Sequence, residues 1–449
     1  MKLIKCVLSV FLAGLFFVAS YAQTPATALD SYLNNSDPTY AWELLNSYQA
    51  DKTQAYSILL ISQKWQGILW KHELIVFIPE KISYNGALLF ITGSSASNGM
   101  PKISAPDDGT SQQMAAIATK NQAVVAILKQ VPNQPLYNNL NEDALISYTL
   151  NEFGKSGDYS WPLLFPMVKS ARKAMDVIQE FVQQHSSTDI KRFVISGASK
   201  RGWTTWLTGA SRDPRVVAIA PMVIDMLNMP VTLKYQQEMY GEFSDQINDY
   251  VKLDIPQNID NEFGSMVVQM IDPYSYRDKL TMPKMIFMGT NDPYWTIDAV
   301  KHYINEIPGQ NYLCYVPNAG HNLGDRKQAF GTLSAFFGLT MEEKPYPVCQ
   351  WDVSEKGKKI TLSAKASADQ MVRAVLWTAE SGSRDFRSSQ WQSKEVVSKD
   401  NSNISTTLTY PQKGFSSFYI ELIYKDPKGG EYSVTTRPYV ANQKQVFIK

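Results

Sequence analysis

A serine stands in a sharp turn between a short apolar strand and a helix. Residues 192–196 (RFVIS) are strand-like, residues 197–202 read GASKRG, and a helix-like stretch begins at Trp203. A strand–turn–helix of this kind exposes the hydroxyl of Ser199 above the end of a sheet. It also aims the next backbone N–H, that of Lys200, at a developing oxyanion. The pattern therefore predicts that Ser199 is a nucleophile. The alternative is that residues 197–202 form a glycine- and serine-containing turn with no catalytic role.

The residues around Ser199 match the steric needs of such a turn only in part. Gly197 supplies a small residue two places before the serine, where neighbouring backbones pass closely. Two places after the serine, Arg201 stands where a small residue is expected, and Gly202 comes one place later.

From residue 56 onward the chain alternates between strand-like and helix-like segments, which predicts a mostly parallel sheet covered by helices on both faces. Residues 56–66 and 69–79, separated by Gly67, predict an opening hairpin. Further strands are predicted at 87–92, 123–128, 193–196, 216–224, 284–289 and 312–316, with helices at 111–121, 162–184 and 326–337. We expect an irregular surface excursion over 132–161 and an inserted lid over about 226–280.

The histidine is chosen by elimination among four. His321 follows the last predicted strand, where the α/β-hydrolase order of serine, acid and histidine places the general base. Asp292 follows the penultimate strand and is the predicted acid that orients His321, while Asp225, after strand 216–224, is the main alternative. The sequence thus predicts an α/β-hydrolase domain with a Ser199, His321 and Asp292 triad.

The remaining pocket residues are predicted from their loops. The second oxyanion donor is expected after strand 87–92, from Ser94, with Ser95 as the alternative. Large aromatic side chains are predicted to wall a substrate pocket, although such residues are more often core; they are Trp161, Trp203, Trp295 and Tyr294.

After Pro345 the pattern changes to short β-rich segments separated by turns, at 359–366, 372–379, 404–410, 418–424 and 432–436. Several strands at this spacing predict a small β-sandwich. The expected organisation is a hydrolase domain over 23–342 and a β-sandwich domain over 345–449.

The first 22 residues have the layout of a secretory signal peptide. Lys2 and Lys5 precede an apolar run over 6–18, and small residues surround a cleavage point after Ala22. We expect cleavage rather than a membrane anchor, a mature start at Gln23, and an exported, periplasmic or extracellular protein. No later apolar stretch is long enough to predict a membrane span in the mature protein.

The charge balance and the cysteine content limit which partners and cofactors the protein is expected to bind. The 43 basic and 42 acidic residues give no field that would attract nucleic acid. After cleavage Cys314 and Cys349 remain, too few for a disulfide framework or a zinc site, and Cys314 is expected to pack as a small hydrophobe. No metal or organic cofactor is required by the predicted chemistry.

Two motifs together resemble the PhoPQ-activated pathogenicity-related protein family: residues 161–171 (WPLLFPMVKSA) and 197–203 (GASKRGW). The resemblance implies an exported protein of α/β-hydrolase type, associated in some bacteria with virulence or resistance to host peptides, without a settled substrate. The turn is also similar to that of glucuronoyl esterases, which implies that ester cleavage is open. We therefore expect a serine hydrolase acting on a small ester or peptide. The alternative is a non-catalytic binding or virulence-related protein that retains the fold.

Overall fold

The computed structural model describes residues 23–398 and 400–448. The predicted signal peptide lies outside these residues. The helices are α1 (Pro25–Leu33), α2 (Gly109–Asn121), α3 (Glu142–Ser156), α4 (Leu164–Ser186), α5 (Lys200–Ala210), α6 (Met229–Tyr240), α7 (Asn248–Val251), α8 (Glu262–Ile271) and α9 (Lys327–Met341). Among the described residues, no helix has the length and apolar character needed to cross a membrane.

The strands in the first part of the chain are β1 (Ala41–Ala50), β2 (Thr53–Trp65), β3 (Ile68–Pro79), β4 (Gly86–Ile91), β5 (Ala96–Ser97), β6 (Met100–Pro101), β7 (Val124–Leu128), β8 (Arg192–Ala198), β9 (Val216–Met222), β10 (Lys284–Gly289) and β11 (Asn311–Val316). Those in the C-terminal part are β12 (Cys349–Lys356), β13 (Lys359–Ala366), β14 (Met371–Ser381), β15 (Gln392–Glu395), β16 (Asn403–Thr409), β17 (Phe415–Lys425), β18 (Glu431–Thr435) and β19 (Tyr439–Ala441).

A large mixed sheet organises the molecule, in the order β1-β2-β3-β7-β4-β8-β9-β10-β11-β18-β17-β14-β15. The pairs from β7 through β4, β8, β9 and β10 to β11 are parallel, and β2 and β3 form the predicted antiparallel hairpin. Helices α4 and α5 pack on one face, and α2 and α9 on the other. The predicted mixed α/β class with a helix-covered central sheet is confirmed.

The buried strands and helices follow from their apolar patterns. Every residue of β4, β7 and β10 is buried, as expected for central strands that helices cover on both faces. In α4 the predicted helical face is buried along its whole length; its members are Met167, Ala171, Ala174, Ile178 and Phe181.

The expectation of an irregular excursion over 132–161 is wrong in its second half, where α3 forms. Its buried side chains include Leu145, Leu150 and Phe153, and the helix ends at Gly157 in a left-handed conformation with φ of 69°. The acidic first turn and the closing glycine were visible in the sequence. The helix was not predicted because its apolar stripe is short and polar residues on its outer face interrupt the apolar pattern in the sequence.

Residues 226–280 contain α6, α7 and α8 together with two 3₁₀ turns, Asp245–Ile247 and Pro273–Lys279. They connect β9 to β10, so the segment is an insertion between neighbouring strands of the sheet.

The C-terminal strands continue the large sheet. Strand β18 pairs with β11 at Leu313 and Thr435, and β17, β14 and β15 follow outward. Strands β12, β13 and β16 form a separate three-stranded sheet. Apolar residues of β13 and β17 belong to the same buried cluster as residues of α9, among them Phe336. The buried core therefore runs across the domain boundary predicted near residue 345.

Cys314 and Cys349 are both buried and unbonded to each other. Cys314 is fully enclosed in β11 and packs as the predicted small hydrophobe.

Candidate active site

Ser199 occupies a strained turn between β8 and α5. Its backbone has φ of 59° and ψ of −123°, a region that residues with a side chain rarely adopt. The Ser199 N–H donates to the carbonyl of Met222 in β9 at 2.9 Å, which fixes the turn to the neighbouring strand. Lys200 is the first residue of α5, so its N–H has no acceptor within the helix.

The structure explains why the glycine follows Ser199 by three places. A Cβ on Gly202 would come within 2.5 Å of the Met222 carbonyl oxygen, so the backbone approach to β9 occurs at this position. The side chain of Arg201 points elsewhere, toward the loop after β4. A Cβ on Gly93 would lie 2.2 Å from one Arg201 terminal nitrogen, so this glycine makes room for the guanidinium.

Arg201 makes a two-pronged ion pair with Glu142 at the start of α3. Its Nη1 and Nη2 donate to the two carboxylate oxygens at 2.7 and 2.6 Å, and its Nε donates to the Val131 carbonyl. Burial favours the neutral acid, but the hydrogen bonds and charge of Arg201 outweigh it and lower the pKa of Glu142. Together these contacts join α5 to α3 and, through Val131, to the loop after β7.

His321 and Asp292 form a direct pair on adjacent loops. His321 Nδ1 lies 2.8 Å from Asp292 Oδ2, and the other carboxylate oxygen accepts the Tyr294 N–H at 2.9 Å. The Tyr294 ring stacks on the imidazole with centroids 4.2 Å apart. Asp292 is buried, so its orientation is set by these contacts. Such an arrangement fixes the ring and its tautomer.

Asp225, the alternative acid, lies elsewhere in the network. The Tyr303 hydroxyl donates to Asp225 Oδ1 at 2.6 Å. Burial raises the pKa of Asp225 to about 7, which is the opposite of what a permanently charged orienting carboxylate needs. The histidine is therefore paired with Asp292 and not with Asp225.

Ser199 and His321 line the same cleft, together with Gly93. Within the described residues, His321 Nε2 is buried and has no hydrogen-bond partner. Ser199 Oγ therefore makes no hydrogen bond to this ring nitrogen in the structure. Hydrogen bonds between catalytic groups are commonly long until substrate binds.

The loop after β4 lies beside this cleft. Gly93 lines it with Ser199, whereas Ser94 lines an adjacent polar cavity that also contains Lys129 and Asp108. The second oxyanion donor was expected from this loop, but the loop residues that line the Ser199 cleft are Thr92 and Gly93 and not Ser94.

Three of the four predicted pocket aromatics line a second, apolar cavity that also contains Ser199. They are Trp203, Trp295 and Tyr294. Trp161 packs instead against Trp65 and Tyr137, with ring centroids 5.9 and 5.8 Å away, and lines neither cavity. The expectation that Trp161 walls the pocket is therefore wrong, because an aromatic cluster near the β2–β3 turn holds it.

Two asparagines, which the sequence did not single out, connect the loops that carry Asp292 and His321 to the C-terminal part of the chain. Asn291, next to Asp292, donates from Nδ2 to the carbonyls of Phe386, Arg387 and Ser389 at 3.3, 3.2 and 2.7 Å. Asn318, three residues before His321, exchanges two hydrogen bonds with the backbone of Trp391 at 2.7 and 3.0 Å. Their partners are backbone groups at least 70 residues away, which no local pattern reveals.

Lys200 and Asp143 form a second ion pair beside Ser199, with Nζ and Oδ2 2.5 Å apart. Burial alone would lower the pKa of Lys200, but the carboxylate of Asp143 raises it.

The described residues contain no group of three or more histidine, cysteine, aspartate or glutamate side chains arranged to hold a metal ion.

The chain belongs to the PhoPQ-activated pathogenicity-related protein family, whose profile matches residues 29–387. It is also similar to autocrine proliferation repressor protein A of Dictyostelium discoideum, with 30% identity over 95% of this chain and 92% of that protein.

Among solved structures, the fold is similar to acetyl xylan esterase 1 of Thermoanaerobacterium sp. JW/SL YS485, with a TM-score of 0.48, 16% identity, and coverage of 71% of this chain and 92% of the esterase. It is also similar to an acetyl xylan esterase of Paenibacillus sp. R4, with a TM-score of 0.42, 14% identity, and coverage of 66% and 86%.

Proposed function

We propose that this member of the PhoPQ-activated pathogenicity-related family is a serine hydrolase of α/β-hydrolase type that cleaves an ester or peptide bond. The observation that carries the proposal is the strained Ser199 turn, which shares a cleft with a histidine whose Nδ1 is held by a buried aspartate. Neither a structural turn nor a structural histidine needs this combination.

In the proposed reaction, Ser199 Oγ attacks the substrate's carbonyl carbon while His321 Nε2 takes the hydroxyl proton. The carbonyl oxygen becomes an oxyanion, which the N–H of Lys200 and an N–H of the loop after β4 stabilise. As the bond to the leaving group breaks, His321 returns the proton to the departing oxygen or nitrogen. Water, deprotonated by His321, then attacks the acyl carbon; the bond to Ser199 Oγ breaks as His321 returns the proton to that oxygen, which releases the acid. Asp292 holds the imidazole throughout and stabilises its charged form.

The proposal extends to the setting of the enzyme. The signal-peptide pattern of residues 1–22 supports secretion or a periplasmic location. Residues 226–280, which carry much of the wall of the cavity beside Ser199, act as the lid. The C-terminal strands form a two-layered β-sandwich whose one sheet continues the hydrolase sheet.

The alternative is a binding or signalling protein that keeps this fold without catalysis. A non-catalytic fold needs no hydrogen bond between Ser199 and His321, and within the described residues His321 Nε2 has no partner. The name of the Dictyostelium relative, autocrine proliferation repressor protein A, also suggests signalling.

Labelling with a fluorophosphonate separates the two functions, because the reagent forms a covalent bond only with an activated serine. We expect the mature protein to be labelled, and Ser199→Ala and His321→Ala to abolish labelling. Ser94→Ala is the matched control, because any oxyanion role of that residue uses the backbone N–H. A folded wild-type protein that resists labelling, or a labelled Ser199→Ala variant, would establish the non-catalytic alternative for this site.

A further inference from the structure

An apolar cavity opens directly beside Ser199. Its apolar walls come from α5, from the loop after β10 and from residues 226–280. Those that the argument uses are Trp203, Met229, Leu233, Ile255, Ile271 and Trp295. We propose that this cavity binds the acyl chain of the substrate, so that the enzyme acts on esters of medium-length fatty acids. The inference rests on the proposed serine hydrolase function.

The polar groups in the cavity wall satisfy one another. Asp143 accepts from Lys200 Nζ at 2.5 Å, from the Tyr250 hydroxyl at 2.9 Å and from the Tyr294 hydroxyl at 3.4 Å. Within the part of the chain that the structure describes, no side chain lining the cavity has a buried polar atom without a partner. A polar or charged acyl group would lose its hydration here without gaining a hydrogen bond. The wall therefore selects for apolar chains.

The direction of the substrate follows from the place of His321. Ser199 lines both the apolar cavity and the cleft that contains His321, but His321 does not line the apolar cavity. The leaving group must accept its proton from the histidine, so it has to lie in the cleft on that side of Ser199. The acyl group, on the other side of the carbonyl carbon, then points into the apolar cavity.

The burial of a chain in this cavity gives a measurable length dependence. Each methylene that leaves water for an apolar site raises kcat/KM by roughly fourfold when the gain is fully expressed in the transition state. With p-nitrophenyl esters and the mature full-length protein, kcat/KM should rise from acetate through butyrate and hexanoate to octanoate. A flat or falling series, with acetate still cleaved through Ser199, would overturn the acyl-chain assignment.

A blocking variant tests whether this cavity is responsible. Leu233→Trp adds bulk inside it, whereas Val231→Trp adds the same side chain on the exposed side of α6, where Val231 is 42% exposed. The ratio of kcat/KM for octanoate to that for acetate should fall at least tenfold in Leu233→Trp and stay at the wild-type value in Val231→Trp. An unchanged ratio in a folded Leu233→Trp protein would refute the assignment.

Inhibition by alkylboronic acids gives the same information without any variant. These compounds bond to an activated serine, and their affinity for the wild-type protein should rise with alkyl length; equal affinities of methyl- and octylboronic acid would refute the acyl-chain assignment. Failure of the underlying function looks different. In that case neither the acetate ester nor the fluorophosphonate reacts with Ser199, whatever the chain length.

Discussion

The substitution Asn291→Ala tests whether the C-terminal part of the chain positions Asp292, the acid of the proposed triad. The Nδ2 group has two hydrogens and three carbonyl acceptors, the shortest being Ser389 O at 2.7 Å. At about 1 kcal/mol net for each neutral hydrogen bond, the change should lower the free energy of unfolding by about 1–2 kcal/mol. The loop should shift, and Asp292, the next residue, should shift with it.

The catalytic effect should exceed what lost stability explains. A displacement of about 1 Å in a catalytic group can cost up to a hundredfold in rate, so we expect kcat to fall about tenfold, with KM little changed. Hydrolysis of a p-nitrophenyl ester measures kcat, and urea denaturation measures stability. Asn311→Ala is the matched control. Asn311 also bonds backbone carbonyls, with Ile307 O at 2.7 Å, but lies at the opposite end of β11 from His321.

If Asn291 acts by positioning Asp292, the substitution Asn291→Ala lowers kcat only because it displaces Asp292. In the Asp292→Asn background, Asn291→Ala should therefore lower kcat by less than about twofold, because residues that act as a unit are not additive. Fully additive losses would refute a positioning role. So would an Asn291→Ala protein that loses the expected stability but keeps the wild-type kcat.

Four further outcomes are expected. Ser199→Ala and His321→Ala should each lower kcat by about a thousandfold or more and the double variant little further, with Asp292→Asn costing less than Ser199→Ala; kinetics of all four variants would test this. The wild-type protein should lose stability relative to Asp225→Asn as pH rises from about 4 to about 7, because the folded carboxyl keeps a proton that the unfolded one releases; urea titrations across this range measure the difference. Arg201→Met should lower unfolding free energy by about 2–3 kcal/mol, since Glu142 loses its partner but its side chain is 37% exposed. N-terminal sequencing of exported protein should give Gln23, and an intact Met1 would contradict signal cleavage.

The parts of the fold that were predicted correctly depend on local sequence. The β2–β3 hairpin shows in two apolar runs separated by Gly67, and the Ser199 turn shows in the change from strand to helix at one point. The pairing of His321 with Asp292 followed from the order of the strands, because the carboxyl ends of neighbouring parallel strands meet at one edge.

The errors arose where tertiary contacts decide. Trp161 and Trp203 were both predicted to line the pocket because they are large aromatic residues. Contacts with Trp65 and Tyr137 instead hold Trp161 in an aromatic cluster. A small residue was expected at position 201, and nothing in the sequence explained an arginine there. Its partner, Glu142, belongs to α3, a helix that was not predicted from the sequence. An ion pair between two residues that are 59 positions apart in the sequence cannot be predicted unless that helix is predicted too.

The site is assembled by segments outside the simple strand–helix alternation. The start of α3 supplies Glu142 and Asp143, which form ion pairs with Arg201 and Lys200 at the start of α5. Carbonyls of residues 386–389 hold Asn291 beside the acid. If these contacts are needed for catalysis, a chain ending at residue 342 should lack an intact site even where its own sheet folds. It would also expose the edge of β11 that β18 now covers, which favours aggregation. An active, soluble fragment of residues 23–342 would show instead that the C-terminal contacts are dispensable for activity and that the boundary predicted from the change of pattern near Pro345 separates an independent catalytic unit.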